Sequence, residues 1–135
     1  MMDCLILGDS IAVGTSSVLQ QCISVSQGGI NSWQWNKDHS NRPMIDMQEY
    51  STAIISLGSN DHSGVNTEKE LKKVRAKIHA KNVYWIMPAI KPDIQQIVLK
   101  IAVANNDKII YIKHLSKDGI HPSQAGYKQI VGEIK

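Results

Sequence analysis

The sequence predicts an α/β protein, a three-layer α/β/α sandwich around a five-stranded parallel sheet, and two observations lead to that prediction. Five short apolar runs recur along the 135 residues, and segments with helical spacing separate the last three of these runs. Strands and helices that alternate in this way are typical of layered α/β folds, with right-handed crossovers that place helices on both faces of the sheet. The length fits a single domain over residues 1–135.

The predicted strands are apolar at nearly every position and rich in β-branched side chains. Such runs indicate strands that are covered on both faces, as they are in a parallel sheet. The five runs are Cys4–Leu7, Cys22–Val25, Ala53–Leu57, Val83–Met87 and Ile109–Ile112.

The predicted helices are recognised by their ends. Thr67 and Glu70 have the spacing of a capping box, in which two side chains satisfy the free backbone donors at a helix start. Pro92 fits the first position of the next helix, and the last helix is expected to begin at Pro122. The least regular stretch, residues 28–50, is expected to form loops and a short helix near the active edge.

Composition and charge exclude several classes of function. A hydrophobic fraction of 42% and a charged fraction of 20% are ordinary for a globular protein. The net charge of +3 is too small to indicate a nucleic-acid partner. No apolar run approaches the roughly 18–20 residues of a membrane span, and no cleavable signal is visible. The cytoplasm is therefore the default expectation, with no membrane partner and with release by lysis or as part of a particle left open.

The cysteines and histidines give no sign of a metal site. Cys4 and Cys22 each lie in an apolar run, and the favoured interpretation is a pair of buried free thiols in a reducing compartment, rather than a disulfide or a metal site. Four histidines lack the spacing of zinc ligands, so no metal is expected. They are His39, His62, His79 and His114.

Four polar motifs follow predicted strands. The motif GDS at residues 8–10 follows the first strand, QGGI at 27–30 the second, GSND at 58–61 the third and DGIH at 118–121 the fifth. Parallel strands bring their carboxyl ends to one edge of the sheet, where ligands bind in such folds. The four motifs can therefore converge although they span most of the sequence.

Three of these motif residues have the side chains that acyl transfer needs. A serine hydroxyl such as that of Ser10 is a poor nucleophile until a base takes its proton. His121 can be that base if a third group holds its ring in one tautomer, and Asp118 is three residues away in the same turn. Pro122 disfavours the α conformation for His121, which keeps the imidazole ahead of the last helix.

The ordered set GDS, a glycine-containing second block, GSND and DGIHPS resembles the SGNH (GDSL-type) hydrolases, a flavodoxin-like superfamily of esterases and lipases. The resemblance covers almost the whole chain, from Asp3 to the last helix. It implies that Ser10 is the nucleophile, His121 the base and Asp118 its orienting acid. It also implies that no metal or organic cofactor is needed.

The same resemblance implies an oxyanion hole made by Ser10, Gly29 and Asn60. The backbone N–H groups and the side-chain amide would be fixed donors for the developing negative charge. The second block departs from the family's GxSG pattern, because Ile, Asn and Ser follow Gly29 here. Gly28 therefore competes with Gly29 for this role.

The remaining candidates concern the substrate. Trp33 and Trp35 could stack on a sugar ring, and the chain is shorter than most of the resembled family, which implies an open site without large lid insertions. The favoured interpretation is hydrolysis of small acyl esters, acetyl above all, on a carbohydrate. A lipolytic esterase or thioesterase, and a carbohydrate-binding module without chemistry, are the alternatives. The candidate substrate contacts are Asp9, Gly28, Trp33, Asp61 and His62.

Overall fold

The computed structural model describes residues 3–134, and within that range the chain forms one parallel sheet of five strands in the order β2-β1-β3-β4-β5. The strands are β1 (Cys4–Gly8), β2 (Ile23–Ser26), β3 (Glu49–Ser56), β4 (His79–Ile86) and β5 (Lys108–Ile110). The helices in the same range are α1 (Ser10–Val18), α2 (Ser32–His39), α3 (Pro43–Asp46), α4 (Thr67–Lys77), α5 (Pro92–Ala104) and α6 (Gln124–Glu133).

Helices cover both faces of the sheet because consecutive side chains of a strand point to opposite faces. In β1, Leu5 and Leu7 belong to the core shared with α2, α4 and α5, whereas Ile6 belongs to the core shared with α1 and α6. The predicted three-layer sandwich around a five-stranded parallel sheet is therefore confirmed.

The ends of β1 and β3 are locked together at the edge that carries the motifs. Gly8 has a φ of 138°, and a Cβ at this position would lie 1.8 Å from the carbonyl oxygen of Ser56. The backbone N–H of Asp9 donates to that same oxygen at 2.9 Å. Only glycine permits this approach, which fixes the point where Ser10 begins α1.

The predicted capping box of α4 is wrong. Asn66 caps the helix instead, one residue before Thr67. The Thr67 hydroxyl donates to the carboxylate of Asp61, and the Glu70 carboxylate accepts from the side-chain amide of Asn36. Because tertiary partners engage both side chains, neither is available to cap the backbone.

Other helix boundaries also differ from the predictions. The last helix begins at Gln124, two residues after Pro122, and Ser123 caps it. The stretch 28–50 contains two helices, α2 and α3, as well as the start of β3, rather than loops and one short helix. Among the helices within residues 3–134, none combines the length and apolar character needed to cross a bilayer.

The prediction of free thiols at Cys4 and Cys22 is wrong, because the two residues form a disulfide with their Cα atoms 4.8 Å apart. The parallel register pairs Leu5 with Ile23, and the cysteines, one residue earlier on each side, lie next to each other. In chain-entropy terms a crosslink over a separation of this size stabilises the fold by about 3 kcal/mol. Disulfides are typical of oxidising compartments, and the cytoplasmic location stays a prediction.

Candidate active site

The side chains of Ser10, His121 and Asp118 form one chain of hydrogen bonds. Ser10 Oγ lies 2.8 Å from His121 Nε2, although 111 positions separate the two residues. His121 Nδ1 lies 2.5 Å from Asp118 Oδ2. With the Nδ1 proton directed at the carboxylate, Nε2 is free to accept the proton of the serine hydroxyl. The structure therefore brings the predicted nucleophile, base and acid together in the order that acyl transfer needs.

Asp118 holds its own turn with one carboxylate oxygen and the imidazole with the other. Asp118 Oδ1 accepts from the Ser116 hydroxyl at 2.6 Å and from the backbone N–H groups of Ile120 and His121 at 2.9 and 3.0 Å. These donors, the Ser116 hydroxyl first, hold the pKa of Asp118 well below its ordinary range. The carboxylate is therefore ionised at neutral pH. Ser116 was not identified from the sequence, although a serine two residues before an aspartate is a common turn pattern.

The triad is open to solvent. The His121 side chain is 41% exposed and the Asp118 side chain 46% exposed. A substituent on a large molecule could therefore reach the triad without the opening of a lid. Among residues 3–134, no three His, Cys, Asp or Glu side chains are grouped as metal ligands would be.

Each of the predicted oxyanion donors has an N–H proton that no protein acceptor within residues 3–134 takes up. Within residues 3–134, the backbone N–H groups of Ser10 and Gly29 donate to no protein acceptor. Asn60 Nδ2 uses one proton, for the Ile30 carbonyl at 3.0 Å, which holds the amide against the block that contains Gly29. A Cβ built on Gly28 would lie 3.9 Å from Ser10 Cβ, so this glycine is also next to the nucleophile. Gly28 and Gly29 are both candidates for the backbone donor.

The loop that carries Asn60 is tied to the starts of two helices through Asp61. The Asp61 carboxylate accepts from the Ser32 backbone N–H at 2.9 Å, and from the Ser32 and Thr67 hydroxyls at 2.6 and 2.8 Å. Asp61 is buried, so it offers a substrate no surface. The substrate contact predicted for Asp61 is therefore not supported, and its bonds hold the loop instead.

Lys91 is a part of this site that the sequence did not indicate. Lys91 Nζ donates to the carbonyl oxygens of Ser59 at 2.8 Å and Asp61 at 2.7 Å, the two residues that flank Asn60. Its backbone has a φ of 65°, a left-handed conformation that is unfavourable for a residue with a side chain. No local pattern reports this contact, because it joins the start of α5 to a loop some 30 residues earlier.

Asp9 is buried next to Ser10 and caps α1. Asp9 Oδ1 accepts from the Ile11 backbone N–H and from the Ser56 hydroxyl, both at 3.0 Å. The other oxygen, Oδ2, is buried and finds no partner within residues 3–134. Burial raises the pKa of Asp9 to about 6, and the hydrogen bonds only partly oppose the shift. The substrate contact predicted for Asp9 is not supported, since none of its surface is exposed.

The Asp9→Asn variant should lose part of the pH dependence of stability. The folded pKa of about 6 lies above the ordinary value of about 3.9, so between these values the folded protein holds a proton that the unfolded chain has released. Wild-type stability should therefore fall by about 2–3 kcal/mol as pH rises through this window, and the variant should lack this loss. Urea unfolding of both proteins at about pH 4 and about pH 7 measures it. The same pH dependence in both would show that Asp9 titrates normally.

Trp33 and His62 lie in cavities that do not include the triad. Trp33 lines a groove of about 630 Å³ between α2 and α4, and His62 lines a cavity of about 660 Å³ near the start of α4. Neither Ser10, Asp118 nor His121 lines these cavities. The substrate contacts of Trp33 and His62 stay predictions. The sugar contact considered for Trp35 is wrong, because this side chain is fully buried and its Nε1 donates to the Val25 carbonyl at 3.0 Å.

The comparisons with known proteins place the fold. No family model and no curated protein matches the sequence. A lipase/acylhydrolase from Enterococcus faecalis has a similar structure, with a TM-score of 0.72, 18% identity, and coverage of 98% of this chain and 95% of that one. An acetylxylan esterase from Geobacillus stearothermophilus gives 0.63 and 16%, with coverage of 97% and 91%. The C-terminal catalytic domain of peptidoglycan O-acetyltransferase A from Streptococcus pneumoniae gives 0.63 and 16%, with coverage of 97% and 89%.

The chain is a parallel α/β sandwich, and its polar motifs follow the strands at the carboxyl edge of the sheet. Within that class, the chain has the fold of the SGNH (GDSL-type) hydrolases. The resemblance predicted from the four motifs is confirmed at the level of the fold.

Proposed function

We propose that this protein is a serine esterase that hydrolyses small acyl esters, acetyl esters above all, on a carbohydrate. The observation that carries the proposal is the unbroken chain of hydrogen bonds from the Ser10 hydroxyl through His121 to Asp118. A binding module would have no need of a nucleophile, a base and an orienting acid in this order.

The first half of the reaction makes an acyl-enzyme. Ser10 Oγ attacks the ester carbonyl carbon while His121 Nε2 takes the hydroxyl proton. The carbonyl oxygen becomes an oxyanion, which the N–H groups of Ser10, Gly29 and Asn60 stabilise, each donor by about 3–4 kcal/mol. The bond to the leaving alkoxide then breaks, and His121 transfers the proton to that oxygen.

The second half of the reaction releases the acid. Water attacks the carbonyl carbon of the acyl group on Ser10, and His121 takes a proton from it. The bond between the carbonyl carbon and Ser10 Oγ breaks, and the serine oxygen takes the proton back from His121. Asp118 stays ionised throughout and stabilises the imidazolium that forms in each half-reaction.

A small acyl group on a large molecule is favoured by the exposure of the site. A side chain as open as His121 suits an ester that projects from a polymer better than one that must be enclosed. Two structural neighbours have names that refer to acetyl groups on xylan or peptidoglycan, which supports the same proposal.

A lipolytic activity is the second candidate, because a partly apolar cavity lies next to the turn that carries Asp118 and His121. This cavity of about 300 Å³ is lined in part by Leu115, Leu99 and Met87. Leu115 precedes Ser116, whose backbone N–H donates to the His121 carbonyl at 2.8 Å. A short acyl chain could therefore enter the cavity from an ester bound at the triad.

The p-nitrophenyl esters of acetate, butyrate and octanoate separate these candidates. We expect the acetyl ester to give the highest kcat/KM, at least about 10-fold above the octanoyl ester, because a site as exposed as that of His121 does not enclose a long acyl chain. Preference for octanoate would favour the lipolytic candidate. Failure to hydrolyse any of the three would contradict esterase activity and leave the carbohydrate-binding module as the interpretation.

The Lys91→Met variant should lower kcat by about 10-fold and leave KM nearly unchanged. The change keeps the length of the side chain but removes both hydrogen bonds to the carbonyls that flank Asn60, so the amide loses its fixed position. Steady-state kinetics with p-nitrophenyl acetate measure the effect, and Lys128→Met, an exposed lysine on α6, is the matched control.

A double-mutant cycle tests whether Lys91 acts through Asn60. In an Asn60→Ala background, Lys91→Met should have little further effect on kcat, because the positioned group is gone. A full and additive 10-fold loss in that background would show that Lys91 is a general stabilising residue and not a positioning residue.

A further inference from the structure

A groove between α2 and α4 lies outside the site described above. Its volume is about 630 Å³, and none of the triad residues lines it. Side chains from both helices, from the end of α3 and from the start of β4 line the groove. The side chains that the argument uses are Trp33, Lys37 and Lys73.

The groove offers an exposed aromatic ring and two lysine side chains, of which Lys37 lies next to the ring. Trp33 is 50% exposed, which is unusual for an indole in a folded protein. Lys37 Nζ lies 5.2 Å from the centroid of the Trp33 ring. Within residues 3–134, neither Lys37 nor Lys73 has a carboxylate as an ion-pair partner. A saturated sugar ring with an apolar C–H face and a carboxylate substituent would suit these three side chains.

The groove begins near the catalytic edge of the sheet. Trp33 lies in the first turn of α2, four residues after Gly29. Four residues span at most about 15 Å of extended chain. A polymer bound in the groove could therefore extend to the hydroxyl of Ser10.

We propose that this groove binds an acidic sugar unit of a polymeric substrate. The ring of the sugar stacks on Trp33, and its carboxylate pairs with Lys37 and Lys73. This inference rests on the proposed function and deepens it, because it names a carboxylate-bearing carbohydrate as the substrate class.

Binding of two trisaccharides to the wild-type protein tests the proposal, with trigalacturonate as the acidic probe and xylotriose as the neutral one. Calorimetry and tryptophan fluorescence should show the acidic probe to bind at least about 10-fold more tightly, with an affinity that falls as salt is added. Neither probe carries an ester, so the result does not depend on esterase activity.

Variants locate the binding. Trp33→Ala should weaken trigalacturonate binding by about 10-fold and Lys73→Gln by about 3-fold. Lys128→Gln makes the same change in net charge on α6, away from the groove, and should leave the affinity unchanged. Circular dichroism checks that each variant folds. If Trp33→Ala does not fold, Lys73→Gln still tests the proposal.

The failures of the two proposals are distinguishable. Absence of binding, equal binding of both probes, or binding that survives Trp33→Ala and Lys73→Gln would overturn the acidic-sugar site. If p-nitrophenyl acetate were hydrolysed normally in that case, the proposed esterase function would stand. Tight binding of trigalacturonate by a protein that hydrolyses no ester would overturn the esterase function alone.

Discussion

The Ser10→Ala variant should lose roughly 10⁴–10⁶-fold in kcat for p-nitrophenyl acetate, because the acyl-enzyme cannot form without the hydroxyl. The methyl group of alanine fits at the first position of α1 without a clash, and Asp9 still caps the helix. The far-ultraviolet circular dichroism and the unfolding midpoint should therefore match the wild type.

Ser16→Ala is the matched control for this loss. Ser16 lies on the same helix and is half-buried, and within residues 3–134 its hydroxyl donates only to the Val13 carbonyl, at 2.8 Å. We expect wild-type kcat and KM from this control. A Ser10→Ala protein that retained more than about a tenth of wild-type kcat would show that another residue is the nucleophile.

The Asp118→Asn variant should lower kcat by about 10⁴-fold near neutral pH. The amide N–H₂ group would favour an imidazole with its proton on Nε2, the wrong tautomer to accept the proton of Ser10. The turn should survive, because the amide oxygen can still accept from Ser116 as Oδ1 does now. Steady-state kinetics across the neutral range give the loss in kcat.

The pH profile of the wild type adds a second check on Asp118. Its pKa lies well below the ordinary value of about 3.9, so the carboxylate stays ionised as the solution is made mildly acidic. Activity lost on acidification should therefore not come from Asp118.

Asp38→Asn, a change to an exposed carboxylate on α2, is the control for Asp118→Asn and should leave kcat unchanged. A loss in kcat comparable to that of Asp118→Asn would point to a general charge effect.

The sequence was sufficient to predict the three layers of the α/β/α sandwich and the side chains that meet at the carboxyl edge of the sheet. Apolar runs predict buried parallel strands, and a parallel sheet must bring the carboxyl ends of those strands to one edge. For this reason the meeting of Ser10 with His121 across 111 positions could be predicted without coordinates.

Contacts that depend on register or on packing could not be predicted in this way. The disulfide forms because the pairing of β1 with β2 sets Cys4 beside Cys22, and neither apolar run contains that information alone. Thr67 fits a local capping pattern, but Asp61 engages its hydroxyl once the loop after β3 packs against α4. The contact of Lys91 with the same loop is equally non-local.

Strand beginnings were missed for a simpler reason. β3 starts at Glu49, four residues before the predicted Ala53. The prediction missed these four residues because exposed and buried positions alternate among them, so they do not form an apolar run. β4 likewise begins at His79, in a stretch that is mostly exposed. An apolar run therefore marks only the part of a strand that is covered on both faces.

Covalent labelling with phenylmethanesulfonyl fluoride tests the central claim most directly, because it asks which hydroxyl in the folded protein is activated. Peptide mass spectrometry of the labelled wild type should show a single sulfonyl adduct on Ser10, and a folded His121→Ala variant should remain unlabelled. An adduct on another serine, or equally fast labelling of Ser10 without the imidazole, would contradict a nucleophile activated by His121.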